Sequence, residues 1–180
     1  WNDDLVVHWI ERWARETPQK VAVQPMDGAA CSYAELNDKS LRFANALLGL
    51  GVKPGDVVAI QLPSSVEFIV AYIGVTRMGA VLSTMHMPYR EGELEPLVRF
   101  AEAKAMICGP AAGSYEGPKM MARLRERIPS LEHIILASGE PDGAGQHSMA
   151  AMIEKAQAAP IANPPKPSDP ALLCLSLIHI

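Results

Sequence analysis

The stretch from Gly51 to Thr84 most constrains the fold, because it has the pattern of a complete strand, helix and strand unit. The first strand is predicted at residues 57–62, where valine, isoleucine and leucine form a nearly unbroken apolar run. Such a run is typical of a strand that is buried on both faces of a parallel sheet. A second strand is predicted at residues 80–84, and the connection between the two strands should be right-handed. The sequence therefore predicts a parallel sheet at the centre of the molecule.

The helix between these two strands is predicted over residues 65–78. Ser64 and Glu67 have the spacing of a capping box, in which each side chain accepts a hydrogen bond from the backbone N–H of the other residue. Apolar side chains occupy most of the helix surface, so the helix must be largely buried. Gly79 is placed to end it.

The segments on either side of this unit continue the alternation of helices and strands. Before the unit, the sequence predicts a helix capped by Asp3 or Asp4, a hairpin around Asp27-Gly28 and a helix begun by a capping box of Ser32 and Glu35. After the unit, it predicts a helix carrying Leu94, Leu97, Val98 and Ala101, a strand at 105–108 and a helix at 119–128. A strand at 133–137, a glycine-rich loop at 138–146 and a helix at 149–156 follow. Pro96 conflicts with a helix interior, so that helix either begins near Glu95 or is kinked. The whole pattern predicts an α/β fold, with a mainly parallel sheet and helices on both faces.

A proline-rich stretch near the end of the chain predicts its domain organisation. Residues 160–170 contain five prolines and are predicted to form an extended linker. The first α/β part then covers residues 1–159, and a short strand and tail follow the linker at residues 171–180.

Composition restricts the classes of partner. The net charge of -4 gives no electrostatic reason to expect nucleic acid. No apolar run approaches the roughly 18–20 residues that span a bilayer, so we expect no membrane span. Cys31, Cys108 and Cys174 include no CxxC pair, and we interpret them as reduced, buried thiols of a cytoplasmic protein. The five histidines show no metal-ligand spacing, so we expect no metal site.

The residues after the second strand are the candidate binding segment. His86-Met87-Pro88-Tyr89-Arg90 follows the strand predicted at residues 80–84, and Pro88 interrupts regular structure. In open α/β sheets, ligands bind beyond the carboxyl ends of the strands. A packed histidine without ligand contact is the alternative for His86. A surface salt bridge or a bond to Glu93 is the alternative for Arg90.

Four short motifs follow one another in the first half of the chain: Tyr33-Ala-Glu35-Leu36, Gly51-Val-Lys-Pro54-Gly55-Asp56-Val-Val58, Leu62-Pro63 and Gly79-Ala80-Val81. As an ordered series, they resemble the N-terminal part of the adenylate-forming (AMP-binding) acyl-CoA synthetases. Three later pieces most resemble the branch that activates cyclohexanecarboxylic, medium-chain or aromatic acids: Tyr89-Arg90-x-x-Glu93-Leu94, Ala101-Glu-Ala-Lys104 and Pro129-Ser-Leu131-Glu132-His133. The resemblance rests on the order and spacing of the series rather than on any one motif.

This resemblance implies the N-terminal α/β domain of that superfamily and a two-step reaction. ATP and a small carboxylic acid give an acyl adenylate, which then forms a thioester with CoA. ATP, CoA and Mg²⁺ are implied for the complete enzyme, and we expect none to bind tightly to this chain alone. The resemblance also implies that His86, Met87, Pro88, Tyr89 and Arg90 lie at the cleft for CoA and the acyl adenylate. It assigns no catalytic residue.

The last residues depart from the family pattern. Where the family has a Thr/Ser/Gly-rich loop that cradles the ATP phosphates, this chain reads Leu175-Ser-Leu-Ile-His-Ile180. An apolar hexapeptide offers few donors to a triphosphate, so we expect an inactive ligase fragment with a truncated or frame-altered tail. The alternative is a free-standing, non-catalytic binding or interaction module of the same fold. An unrelated flavodoxin-like or Rossmann protein ranks third, because no phosphate-binding glycine loop follows the first strand.

Overall fold

A parallel sheet forms the centre of the protein. A computed structural model describes residues 4–110 and 115–175 of the chain. Within these residues, six strands form one parallel sheet in the order β7-β6-β5-β3-β4-β8, and a short antiparallel hairpin of β1 and β2 lies apart from it. The strands are β1 Val21–Val23, β2 Cys31–Ser32, β3 Val57–Gln61, β4 Val81–Thr84, β5 Ala105–Cys108, β6 His133–Leu136, β7 Gln146–Ser148 and β8 Leu172–Leu173.

Helices cover both faces of the sheet. They are α1 Val6–Glu16, α2 Tyr33–Gly49, α3 Val66–Arg77, α4 Glu91–Phe100, α5 Gly117–Arg127 and α6 Met149–Lys155. Buried side chains from α2, α3 and α6 form one apolar cluster with Val58 and Ile60 of β3. Ala59 points to the other face and packs in a second cluster with side chains from α4 and α5. Because successive strand residues alternate between faces, β3 is buried on both sides.

The predicted parallel sheet is confirmed. Val58 of β3 lies opposite Leu82 of β4 on one side and Ala105 of β5 on the other, in parallel register. Strand β6 continues this pairing, with His133 opposite Ala105. All these strands therefore end at the same edge of the sheet, which we call the carboxyl edge.

The capping residue of α3 differs from the prediction by one position. Ser65, not Ser64, has the extended backbone of an N-cap, and its hydroxyl accepts a hydrogen bond from the N–H of Phe68 at 3.1 Å. This shift puts Glu67 at the second helical position, too early to complete a capping box. The capping box of Ser32 and Glu35 at the start of α2 is present as predicted.

The predicted aspartate cap of α1 is wrong. Leu5 is the N-cap, and its N–H donates to Nδ1 of His8 at 3.2 Å. The imidazole thus accepts the N–H of the N-cap residue, as the third-position Glu or Gln does in a capping box, whereas an aspartate cap would accept an N–H from within the first turn. Asp4 precedes the cap and lies 3.8 Å from the same ring nitrogen, whereas Asp3 is outside the described residues.

Helix α4 does not begin near Glu95. It starts at Glu91 and contains Pro96 in its interior. The Gly92 carbonyl therefore lacks its usual helical donor, but Gly92 is exposed and water can take that place. The side chain of Glu93 accepts a hydrogen bond from the backbone N–H of Arg90 at 2.9 Å, which supports this early start.

Two further expectations need correction. Cys174 is exposed, whereas Cys31 and Cys108 are buried as predicted. The loop predicted over residues 138–146 ends in strand β7, which lacks apolar residues and pairs with β6 at the edge of the sheet. The edge position explains why the sequence did not predict this strand, because an edge strand pairs with the sheet on one side only and is less buried than a central strand.

The proline-rich residues 160–170 contain no helix or strand, and the chain leading into them is held against α2. Arg42 donates to the carbonyl of Ala156 at 2.7 Å, and Asn45 donates to the carbonyl of Ala159 at 2.8 Å. The chain then reaches β8, which pairs with β4 in the same sheet. No helix in the described part of the chain is both long and apolar enough to cross a membrane.

A buried arginine joins the first three helices. Arg77, at the end of α3, has only 4% of its side chain exposed. Its guanidinium donates to the Glu11 carboxylate of α1 at 2.6 Å and to the Asn37 amide oxygen of α2 at 2.8 Å. Burial lowers the pKa of Arg77, and the negative charge of Glu11 opposes that shift. Glu11 therefore compensates a charge that is costly to bury alone.

Removing Glu11 should cost more stability when Arg77 is present than when it is absent. Since Glu11 is 40% exposed, we expect Glu11→Ala to lower the free energy of unfolding by about 2 kcal/mol, below the range for fully buried pairs. In an Arg77→Met background, which keeps the volume and removes the charge, the same change should cost less than about 0.5 kcal/mol. Urea unfolding of the four proteins measures both costs, and equal costs would contradict this account.

A histidine pair links β6 to β7. Nδ1 of His133 lies 3.2 Å from Nε2 of His147, a hydrogen-bonding distance at which one ring donates and the other accepts. Burial lowers the pKa of both histidines, and the charge of His133 lowers the pKa of His147 further. Protonation of both rings would remove the acceptor and place two like charges together.

Stability should therefore fall in mildly acidic solution. Because the folded-state pKa values lie below the unfolded value of about 6.5, the unfolded chain binds more protons in this range. The free energy of unfolding should be highest above about pH 6.5 and decline as the pH falls below that value. The double variant His133→Gln/His147→Gln should show a flatter profile in urea titrations over this range. An equal decline in the double variant would contradict the assignment.

Candidate functional site

The candidate segment, residues 86–90, lies at the carboxyl edge of the sheet, as expected from its position after β4. Met85 anchors its start, because its N–H donates to the carbonyl of Ile60 in β3 at 2.8 Å. His86, Pro88 and Arg90 are exposed, whereas Met87 and Tyr89 are half-buried against the second apolar cluster. The segment therefore presents polar side chains to solvent from an anchored base.

The imidazole of His86 is exposed and is not packed in the core. Its ring meets the Tyr89 ring edge to face, with centroids 5.2 Å apart and planes at 72°. The imidazole thus packs within its own segment rather than in the core, and its contact with a ligand stays a prediction.

Arg90 is held by the segment to which it belongs. Its Nη1 donates to the carbonyls of Met87, Pro88 and Tyr89 at 2.9–3.0 Å, and its guanidinium carbon lies 5.5 Å from the centre of the Tyr115 ring. Three acceptors and an aromatic face orient this cation. The expected bond to Glu93 comes from the Arg90 backbone N–H, not from the guanidinium. Among the described residues, no acceptor bonds to Nε or Nη2, so that edge of the fork can receive an anion.

Gln61, the last residue of β3, lies beneath the segment. It is fully buried, and its amide nitrogen donates to the carbonyls of His86 at 2.8 Å and Tyr89 at 3.0 Å. Its amide oxygen accepts a hydrogen bond from the hydroxyl of Tyr115 at 3.1 Å. The amide therefore joins the end of β3, the candidate segment and the residues that lead into α5.

Burial controls the ionisation of the groups around this amide. It raises the pKa of the Tyr115 hydroxyl, which therefore remains a hydrogen-bond donor at neutral pH. It also raises the pKa of the Cys108 thiol, at the end of β5, to about 12. The thiol is therefore neutral and unreactive as a nucleophile.

The sequence interpretation missed Gln61 and Tyr115. The available signal was one amide at the end of the apolar run Val57-Val-Ala-Ile-Gln61, because a buried amide is costly without partners. Nothing in the residues around Tyr115 indicated its role, because it lies more than 50 positions from Gln61 in the chain.

Strand β8 brings the C-terminal part of the chain to the same edge. Leu172 and Leu173 pair with Leu82 and Ser83 of β4. Leu175 then packs against the same apolar cluster as the half-buried side chains of the candidate segment. Residues that follow β8 and residues that follow β4 are therefore neighbours at the carboxyl edge.

Further clefts open at this edge, away from the candidate segment. One, of about 290 Å³, lies between the starts of α3 and α6, and another, of about 240 Å³, lies between the loops after β5 and β6. A larger one, of about 600 Å³, lies between residues 23–29 and residues 64–69. None of the three is lined by a residue of the segment. No group of three or more histidine, cysteine or acidic side chains that could hold a metal occurs at positions 4–110 or 115–175.

In an open parallel sheet, ligands bind beyond the carboxyl ends of the strands, which is where residues 86–90 lie. The family model described as "AMP-binding enzyme" matches residues 10–176. The chain belongs to the AMP-binding enzyme family, and the expectation from its motifs is confirmed.

The relatives include ligases of several acids. The chain is 34% identical over 169 residues to the salicyl-AMP ligase / salicyl-S-ArCP synthetase of Mycobacterium tuberculosis (strain ATCC 25618 / H37Rv), covering 91% of this chain and 29% of the relative. It is 31% identical over 136 residues to the medium-chain fatty-acid–CoA ligase of Escherichia coli (strain K12), covering 75% of this chain and 24% of the relative. The chain thus spans less than a third of the length of these relatives, and corresponds to their N-terminal portion.

Solved structures agree on the fold. The apo structure of MbtA from Mycobacterium smegmatis matches 98% of this chain with a TM-score of 0.84 and 29% identity, and 32% of that structure is covered. The anthranilate CoA ligase AuaEII in complex with anthranoyl-AMP matches 95% of this chain with a TM-score of 0.83. Its identity is 23%, with 32% of that chain covered, so this second likeness shows the fold alone.

Proposed function

We propose that this chain forms the N-terminal part of an ATP-dependent carboxylic acid:CoA ligase. In the first step, a carboxylate oxygen of the acid attacks the α-phosphorus of ATP and pyrophosphate leaves. In the second step, the CoA thiolate attacks the acyl carbon and AMP leaves. The match to the AMP-binding family over residues 10–176 supports this proposal, as do relatives named as CoA ligases.

The candidate segment is proposed to line the cleft for CoA and the acyl adenylate. The observation that carries this assignment is the orientation of Arg90. Three carbonyls and the Tyr115 ring fix its guanidinium, while Nε and Nη2 have no partner among the described residues. A guanidinium fork held in this way suits two oxygens of a phosphate. His86, beside it, is placed to contact the acyl adenylate or the thiol arm of CoA.

The described residues contain no group of three or more histidine, cysteine or acidic side chains that could hold a metal. Mg²⁺ is usually held by one or two carboxylates together with substrate phosphates, so in the complete enzyme the phosphates of ATP would supply much of its coordination. No step is therefore assigned to the metal through these residues. The proposed acid is small and belongs to the aromatic, cyclohexane or medium-chain classes. The free thiols of Cys31, Cys108 and Cys174 support a cytoplasmic setting.

Arg90→Ala and His86→Ala should affect the thioester step more than the adenylation step. The test uses a complete ligase, in which the part of this chain that aligns with the E. coli medium-chain fatty-acid–CoA ligase replaces the aligned N-terminal part of that enzyme. Losing a charge-assisted pair to a phosphate should raise the KM for CoA about tenfold or more. The rate of octanoate-dependent exchange of pyrophosphate into ATP should change less than about threefold.

The control for this test is Lys119→Ala, which removes an exposed cation of α5 whose recorded partner is the neighbouring Glu116. It should leave the KM for CoA unchanged. Equal losses in both half-reactions for Arg90→Ala, or a loss of folded protein, would point to a structural role for the segment.

The 180-residue chain by itself should not exchange pyrophosphate into ATP with benzoate, cyclohexanecarboxylate or octanoate. It spans less than a third of its relatives, and the loss of one preorganised donor to developing charge already costs about 100-fold or more. The reference is the complete ligase under the same conditions. Exchange by the 180-residue chain above a buffer blank would overturn this expectation.

A further inference from the structure

Gln61 is a polar side chain in a place where an apolar one would be expected. It is 0% exposed, and its four predecessors in β3 are valine, alanine and isoleucine. A buried amide without partners is destabilising, so its hydrogen bonds explain why it is tolerated. All of those bonds lead to the candidate segment or to Tyr115.

The bonds from Gln61 tie the segment to the sheet, whereas the bonds from Arg90 Nη1 to the carbonyls of Met87, Pro88 and Tyr89 stay within the segment. Pro88 has no N–H, and within the segment the one recorded backbone bond runs from the N–H of Tyr89 to the carbonyl of His86 at 3.1 Å. The Gln61 amide donates to that same His86 carbonyl and to the Tyr89 carbonyl. It therefore bonds both ends of the turn that carries Pro88 at its centre.

Tyr115 ties this amide to the Arg90 side chain. Its hydroxyl donates to Gln61, and its ring lies under the guanidinium. Gly117 makes room for the ring, because a Cβ at that position would lie 2.5 Å from a Tyr115 ring carbon. The absence of a side chain at Gly117 is thus required for Tyr115 to touch both residues.

We propose that Gln61, held in place by Tyr115, is a positioning residue. It fixes the candidate segment and, with it, the Nε and Nη2 edge of the Arg90 guanidinium. The role rests on the proposed function of that segment as the lining of the CoA and acyl-adenylate cleft. Gln61 itself is buried and does not touch a substrate. It acts through the carbonyl of His86 and through the carbonyl of Tyr89, which the peptide bond joins to Arg90.

The first test measures amide hydrogen exchange in the 180-residue chain and is independent of activity. Gln61→Met keeps the volume and removes the amide, so the Tyr89 N–H should exchange about tenfold faster or more. Tyr115→Phe removes one hydroxyl and should give a smaller change in the same direction. In both variants, Met106 and Ile107 of β5 should keep their exchange rates within about twofold.

A matched control comes from the neighbouring strand. Ser83 is as deeply buried as Gln61, and its hydroxyl has no partner among the described residues. Ser83→Ala removes a buried polar atom without touching the segment, so exchange of Tyr89 should not change. If Gln61→Met does not fold, Tyr115→Phe decides the test. Unchanged exchange of Tyr89 in the folded variants would overturn the proposal.

The second test separates positioning from general stability in the complete ligase. Gln61→Met and Tyr115→Phe should raise the KM for CoA about fivefold, with pyrophosphate exchange within about twofold of the parent. If Arg90→Ala raises this KM and the two variants do not, Gln61 has no positioning role, and the proposed role of the segment in the CoA cleft stands. If none of the three changes raises it, the proposed role of the segment fails, and the role of Gln61 fails with it.

Discussion

The parallel pairing of β3 with β4 and β5 determines where every other part of the site lies. Parallel strands end at the same edge, so the residues after each strand become neighbours although they are far apart in sequence. The end of β3 supplies Gln61, the end of β4 supplies the candidate segment, and the chain after β5 supplies Tyr115. The edge is thus assembled from connections, while the strands and helices provide the rigid base.

This arrangement places polar groups at a boundary between core and solvent. Gln61 is buried in the sheet, yet every recorded bond of its side chain leads outward to the segment or to Tyr115. A low-dielectric surrounding makes such bonds strong and makes their loss costly. Arg90 lies at the outer end of the same network, with part of its guanidinium bonded to carbonyls and part open. The buried hydrogen bonds of Gln61 therefore help to hold the exposed Arg90 guanidinium in one orientation.

The sequence predicted the sheet well because the relevant signals are local and strong. Apolar runs identified the central strands, and the capping box of Ser32 and Glu35 placed the start of α2 correctly. Weaker signals failed for identifiable reasons. Ser64 and Ser65 are adjacent potential caps, and only the backbone conformation distinguishes them. Strand β7 lies at an edge and has no apolar pattern.

The candidate site was predicted only in part. Its location followed from the end of β4, but the contacts of Arg90 did not, because they depend on three backbone carbonyls and a distant tyrosine. The polar network of Gln61 joins residues from three segments of the chain, and no spacing rule relates them. A sequence pattern locates such a site, whereas its geometry comes from tertiary packing.

The most direct test of the account is a crystal structure of the complete ligase with CoA and an unreactive acyl-adenylate analogue. We predict that the Arg90 guanidinium lies within hydrogen-bonding distance, about 3 Å, of a ligand phosphate oxygen, with Gln61 still bonded to the carbonyls of His86 and Tyr89. A structure in which residues 86–90 are covered by another part of the protein and touch neither ligand would contradict it.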